Sequence, residues 1–210
     1  MEAERLASEV LLREQKEQRE RVLRARIPDN WRNTFFDSSD PKIHPGAFSA
    51  CQNYSTTFSR DSKSLIIYSD VLGSGKTHLA ICIANHLLHQ RHFEVRYIKA
   101  ADILMEVKST YNRTSKEDEE DVLSRLLNTR VLIIDDLGVN KATEWSDEMF
   151  WAIFDRRLEN KLPVIVTTNY APEDDALGIR IGNGALSRLL GMCGDNIVTF
   201  KGKDLRRNKK

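Results

Sequence analysis

The sequence predicts an α/β fold built on a parallel sheet. Three observations point to it. Short continuous Val/Ile/Leu runs recur at SLIIYS, VLIIDDL and PVIVTTN, the pattern of strands covered on both faces. Segments with helical spacing separate those runs. A glycine-rich turn joins the first run directly to a helical segment. Alternation of this kind yields a sheet with helices on both sides.

The elements follow in order. Residues 1–26 are rich in Glu, Arg, Gln, Leu and Ala and read as helix. Leu6, Val10 and Leu11 are followed by REQKEQRER before Val22 and Leu23, so no continuous apolar stripe forms. A solvated helix and a partner-binding arm both fit that pattern. Pro28 ends the segment. Residues 29–63 are mixed, with Trp31, Phe35 and Phe36 as anchors and Pro41, Pro45 and Gly46 as loop markers. Beyond them come strand SLIIYS, helix Lys76–Gln90, strand EVRYIKA, a helical stretch over 101–128 broken around Asn112–Ser115, and strand VLIIDDL. An amphipathic helix over Glu144–Asn160 precedes strand PVIVTTN, then a short helix near Ala185–Leu190 and strand NIVTFKG. The chain divides into a charged helical leader over 1–30 and one domain over 31–210.

Composition narrows the classes. The 210 residues suffice for one domain with a full core. Lys plus Arg number 32 against 31 for Asp plus Glu, so no global field draws the chain to nucleic acid or membrane. No run approaches the roughly 20 apolar residues of a membrane helix, and the charged N-terminus has no signal-peptide apolar core. Cys51, Cys82 and Cys193 are too few and too widely spaced for a disulfide framework or a zinc site, which fits a reducing, cytoplasmic location.

The most informative chemistry is Asp70-Val-Leu-Gly-Ser-Gly-Lys-Thr77, which follows a strand and opens a helix, the setting of a P-loop. Gly73 and Gly75 let backbone N–H groups converge on phosphate oxygens. Lys76 supplies a point charge, Thr77 a hydroxyl for Mg²⁺, and the helix its positive end. Gly73, Ser74, Gly75, Lys76, Thr77 and His78 form the candidate nucleotide-contacting stretch. The first position of the motif is normally Gly; Asp70 stands there, and a carboxylate near a triphosphate weakens binding.

About 60 residues further on, VLIIDDL places two carboxylates at the C-terminal end of a strand, where open α/β sheets bind ligands. Asp135 suits support of Mg²⁺ and Asp136 suits orienting or deprotonating water. In VIVTTN, Asn169 is placed either to touch the γ-phosphate or to cap a helix.

With their neighbours, these elements carry a resemblance. GSGKTHLA (73–80), VLIIDDLG (131–138), TEW (143–145), RRLENKLPVIVTTN (156–169), LSRLLGMC (186–193) and the lead-in IPDNWRNTFF (27–36) resemble the AAA+ ATPases of the DnaC/DnaI helicase-loader and IstB group. The resemblance implies a P-loop NTPase three-layer sandwich, with a five-stranded parallel sheet and the P-loop strand in its middle. It implies ATP and Mg²⁺ as ligands, Asn169 as the sensor-1 residue, and Arg188 as an arginine finger acting on a neighbouring subunit. An internal ion pair is the competing reading of Arg188, and Arg180 is the next candidate finger. Arg156 and Arg157 fit a structural or subunit-seam role. The helical insertion spans Asp102–Asn128, where Lys108, Tyr111 and Arg113 are candidate contacts to single-stranded DNA; the acidic run that follows fits a solvated loop equally well. The chain stops about ten residues after its last strand, which leaves no room for a C-terminal helical lid or its sensor-2 arginine, and the basic tail KGKDLRRNKK reads as a solubilising end. By resemblance the partners are a replicative helicase, single-stranded DNA and further copies of the chain across the ATP interface. An IstB-type transposition helper and a non-hydrolysing ATP-dependent adaptor share the same core.

Overall fold

The computed structural model describes residues 2–110, 119–173 and 175–207. Five strands, β1 (Leu65–Tyr68), β2 (Val95–Lys99), β3 (Val131–Leu137), β4 (Val164–Thr168) and β5 (Ile197–Thr199), form one parallel sheet in the order β2-β3-β4-β1-β5. The expected five-stranded parallel sheet is present, but β4, not the P-loop strand β1, holds its middle. After β1 the chain crosses to the far edge as β2 and fills back through β3 and β4. Only the place on the other side of β1 then remains for β5.

Eight helices are described: α1 (Glu2–Ala25), α2 (Pro45–Thr57), α3 (Lys76–His89), α4 (Ala100–Thr110), α5 (Glu119–Asn128), α6 (Glu144–Glu159), α7 (Gly178–Ile181) and α8 (Asn183–Cys193). Successive strand side chains point to opposite faces, and the cores divide accordingly. Ile66, Leu132, Ile134, Val164 and Val166 join Ile103, Phe150, Phe154 and Leu189 of α4, α6 and α8. Leu65, Ile67, Val131, Ile133 and Ile165 join Ile83 and Leu87 of α3, Phe48 and Cys51 of α2, and Ala25 and Ile27 where α1 ends. This is the three-layer sandwich.

Two local readings are corrected. Pro45 and Gly46 do not mark a loop; Pro45 is the first residue of α2, where its fixed φ and missing N–H cost the helix nothing. Buried Ala47, Phe48, Cys51 and Ser55 give that helix its inner face. The short helix expected near 185–190 runs from Asn183 to Cys193. The expected break over Asn112–Ser115 lies outside the described residues.

The two readings of the leader separate by halves. Toward its end α1 is docked: Gln18 Nε2 donates to the Leu88 carbonyl (3.3 Å) and Arg21 Nη1 to that of His92 (3.4 Å). Its earlier turns leave Leu6, Val10, Leu11 and Leu12 exposed. The lead-in segment is pinned to α3 by Asn85, whose Nδ2 donates to the carbonyls of Trp31 (2.9 Å) and Thr34 (2.7 Å).

Arg157 of α6 is fully buried and structural. Its Nη1 donates to the carbonyls of Leu126 (2.6 Å) and Leu127 (3.4 Å), and its Nη2 to those of Arg130 (3.4 Å) and Pro163 (2.9 Å). One guanidinium thus satisfies the C-terminal carbonyls of α5 and ties the starts of β3 and β4 together. Burial and neighbouring Arg130 lower its pKa to about 9, which leaves it charged at neutral pH. Arg157→Leu strands these carbonyls and is expected to lower the unfolding free energy by about 2–4 kcal/mol in urea titrations. Arg157→Lys is expected to recover only part of that loss, because a point charge cannot span the carbonyls.

Candidate functional site

The site forms where β1, β3 and β4 end. After β1 the chain turns through Gly73 (φ +71°) and Gly75 (φ +101°) into α3. Both glycines hold the left-handed backbone that side chains resist. At Gly73 a Cβ would also collide with an Asp204 carboxylate oxygen. Lys76 is buried and turned back into its own loop, where Nζ donates to the carbonyls of Ser69 and Val71 (both 3.0 Å) and more weakly to Ser74 Oγ (3.4 Å). Burial lowers the Lys76 pKa, while Asp136 and Asp135 pull it up.

The two carboxylates of β3 go to different places. Asp135 is 1 % exposed. Its Oδ1 accepts from Thr77 Oγ1 (2.9 Å) and Thr167 Oγ1 (2.6 Å), and its Oδ2 from the Tyr97 hydroxyl (2.6 Å). Burial and Asp135 hold the Tyr97 hydroxyl well above the usual phenol range, so it remains a donor. At Asp136 the β3–β4 register shifts and φ becomes +57°, while its N–H leaves the ladder to donate to Thr167 Oγ1 (2.9 Å). A bulge of this kind re-aims a side chain, and Asp is among the few residues that tolerate the left-handed region. Asp136 therefore lines the cavity, whereas Asp135 is sealed beneath it. Burial, then the neighbouring Asp135 charge, raise the Asp136 carboxyl above the ordinary range, opposed by Lys76, Lys99 and Arg206.

One cavity of about 500 Å³ gathers Gly73, Ser74, Gly75, Lys76, Thr77, His78, Asp136 and Asn169. Asn169 Oδ1 is buried with no hydrogen-bond partner among the described residues. Trp31, Ile43, Phe48, Leu72 and Leu79 supply an apolar end. His44 Nε2 donates to the Ser74 carbonyl (2.7 Å), and Ser39 Oγ meets His78 Nε2 (2.6 Å). Burial lowers the His78 pKa, which favours the neutral ring. Asp70, at the motif's irregular position, is exposed and adds only a lesser charge effect on Lys76.

The tail departs from expectation. Rather than a solubilising end, residues 201–207 cross the P-loop as a strap. The Leu205 N–H donates to the Gly73 carbonyl (3.0 Å), Asp204 caps its own turn by accepting from the Arg206 N–H (3.0 Å), and Leu205 and Arg206 line the cavity. Arg206 of the tail thus reaches the site. Trp31, Ser39, His44, Tyr97, Thr167 and Arg206 are the site residues that sequence reasoning missed. Only Thr167, two positions before Asn169 in VTTN, carried a local signal.

Other candidates lie elsewhere. Arg188 does not line the cavity; its Nε pairs with Asp155 Oδ1 at 2.9 Å and its guanidinium sits 5.6 Å from the Trp151 ring. This is the internal ion pair of the competing reading. Arg180 stacks over Tyr170 at 4.7 Å, and exposed Arg156 pairs with Glu159 at 3.7 Å. Lys108 Nζ lies 4.8 Å from the Trp145 ring. Tyr111 and Arg113 lie outside the described residues.

Residues 4–210 match the family model of IstB-like ATP binding proteins. The chain belongs to that family. It is 29% identical over 189 residues to the replicative helicase loader DnaC of Buchnera aphidicola subsp. Baizongia pistaciae, covering 88% of this chain and 75% of that protein. To the loader DnaC of Escherichia coli K12 it is 36% identical over 128 residues, covering 61% of this chain and 51% of that protein. The chain thus spans about half the length of the E. coli relative. The crystal structure of a DnaC helicase loader superposes with a TM-score of 0.73 at 23% identity, covering 83% of this chain and all of that one. That likeness shows the same AAA+ fold. An ATP-binding AAA+ module of the kind found in replication loaders is what family and fold together support.

The raised Asp136 carboxyl has a consequence for stability. Folded protein binds its proton more tightly than the unfolded chain, so the group weighs against folding as pH rises through its folded pKa. Asp136→Asn is expected to raise the thermal midpoint at pH 7 by a few degrees. The gain should shrink as pH falls and vanish below the ordinary aspartate pKa of about 3.9, where the carboxyl is protonated in both folded and unfolded chains. Paired melting curves across that range check it; a gain that persists undiminished at acid pH contradicts the assignment.

Proposed function

We propose that this chain is the ATPase module of a replicative-helicase loader in the cytoplasm, binding ATP with Mg²⁺ and hydrolysing it slowly between subunits. The observation that carries the proposal is the convergence of an intact Gly-Ser-Gly-Lys-Thr loop, Asp136 and the unpartnered Asn169 amide oxygen in one cavity. The residues fit the ligand. Backbone N–H groups at the start of α3 face phosphate oxygens, and Lys76 exchanges the Ser69 and Val71 carbonyls for β- and γ-phosphate oxygens. Thr77 donates its proton to Asp135, which leaves its oxygen lone pairs for a cation. Asp135, already engaged by three hydroxyls, acts by fixing Thr77. When bound, Mg²⁺ neutralises charge on the phosphates.

Asp136 takes a proton from the attacking water as the water oxygen bonds to the γ-phosphorus, and the bond to the ADP oxygen breaks. A raised pKa suits a base working near neutrality. Asn169 Oδ1 accepts a hydrogen bond from that water. Asp is one methylene shorter than the Glu of vigorous AAA+ enzymes, which supports slow turnover. Trp31, Ile43 and Phe48 offer the apolar wall that a nucleobase requires. In this reading the leader residues 1–30 and the ATPase domain 31–210 act together, since Ala25 and Ile27 sit in the same core as α3.

Arg188 serves as the finger in trans once it leaves Asp155, stabilising charge on the γ-phosphate held by a neighbour. The helicase partner comes from the resemblance and from the DnaC relatives, and single-stranded DNA binding from the resemblance alone. The IstB-like family match keeps one rival, a transposition helper. Co-purification with a replicative helicase, with and without ATP, separates them: failure under both conditions removes the loader reading.

Lys76→Ala is expected to weaken binding of a fluorescent ATP analogue at least about tenfold while leaving the melting profile of the empty protein cooperative. Retained affinity would overturn the phosphate site. Arg188→Ala and Asp136→Asn are each expected to lose most ATPase activity alone. Mixed, they should recover part of it, because one interface then pairs an intact finger with an intact base. No recovery on mixing argues against a finger in trans.

A further inference from the structure

A second cavity, of about 420 Å³, opens at the other end of the sheet from the P-loop, beside the start of β2 and the end of α5. Arg21 and Arg24 of α1, Arg26 just after it, Arg96 of β2 and Arg125 of α5 all line it. Nothing in the nucleotide-site reading uses these residues. Glu106 holds two of them, accepting from Arg26 Nη1 (2.5 Å) and Arg96 Nη2 (3.2 Å), and Glu94 lies 3.9 Å from Arg24. These carboxylates engage Arg24, Arg26 and Arg96 but leave donors in the cluster unused. The Arg96 side chain is 5% exposed, and among the described residues its Nε has no hydrogen-bond partner; Arg21 Nε is likewise buried without one. Burial, then Arg26, then Arg125 act to lower the Arg96 pKa, with Glu106 opposing them. A buried guanidinium donor is costly to leave unmade, and crowding like charges adds to the cost. Both costs fall when an anion enters.

The shape narrows the anion. Arginines from two helices and a strand line the same cavity, together with Ser124, Asn128 and Thr129. Planar forks bind phosphoryl oxygens in pairs. A single carboxylate matches one or two forks. Single-stranded nucleic acid strings its phosphates along an extended groove, whereas these arginines line one bounded cavity of about 420 Å³. We propose that the cavity is a polyphosphate site, taking the clustered phosphates of a free di- or triphosphate independently of the P-loop.

The test titrates inorganic tripolyphosphate calorimetrically into the full chain carrying Lys76→Ala, which suppresses the first site. One bound equivalent is expected, weakened steeply by salt. Arg21→Gln/Arg24→Gln, near the end of α1, should lower its affinity about tenfold or more. Arg125→Gln should act in the same direction, and circular dichroism confirms that each variant is folded. In the chain with Lys76 intact, a second, arginine-independent equivalent reports the P-loop. Loss of that equivalent without loss of the first sinks the P-loop reading alone. Binding that the arginine variants leave unchanged, or no binding in the Lys76→Ala protein, overturns the proposal. So does a single-stranded oligonucleotide that binds through these arginines while tripolyphosphate does not.

Discussion

Everything at the nucleotide site is referred to one buried carboxylate. Asp135 ends the apolar part of β3 and is held by three hydroxyls from three other elements: Tyr97 of β2, Thr77 of α3 and Thr167 of β4. A lone ionised carboxylate in that position would be costly. With three donors it becomes a junction that sets the height of α3 against the sheet. Because Thr77 opens α3 and Thr167 also receives the Asp136 N–H, the same junction positions the P-loop helix and the bulge that turns Asp136 into the cavity.

The empty site is closed on itself. Lys76 satisfies loop carbonyls, His44 holds the Ser74 carbonyl, and the strap holds the Gly73 carbonyl. Nucleotide must therefore exchange contacts rather than simply add them. The Asn169 amide oxygen, buried with no hydrogen-bond partner among the described residues, is the exception. The near-balance of charges in the whole chain conceals strong local differences: paired aspartates under the P-loop, and five arginines gathered at the opposite end of the sheet.

Much of this was legible in sequence because the signals are local. Continuous runs such as Val131–Ile134 announce strands buried on both faces, and each forms one. Gly73, Gly75, Lys76 and Thr77 sit within five residues, so their convergence is set by a single turn. Other elements were opaque for physical reasons. Helix α2 opens on Pro45-Gly46, and its buried positions mix Ala, Cys and Ser with a single Phe, so composition argued for loop. The tail reads as charged and soluble because its contacts, Leu205 to Gly73 and Arg206 to the cavity, join residues more than 130 positions apart.

Sequence alone determined the fold class, the phosphate loop and the pair of carboxylates after a buried strand, since these depend on neighbours within one strand–turn–helix unit. Tertiary structure decided what the pair does. Adjacent aspartates become a buried junction and a cavity-lining carboxyl where Thr167, from another strand, captures the Asp136 amide at the bulge. It likewise decided that Arg188 meets Asp155, and that arginines from α1, β2 and α5 share one cavity. Such pairings arise when a parallel sheet stacks its crossovers, and no spacing along the chain encodes them.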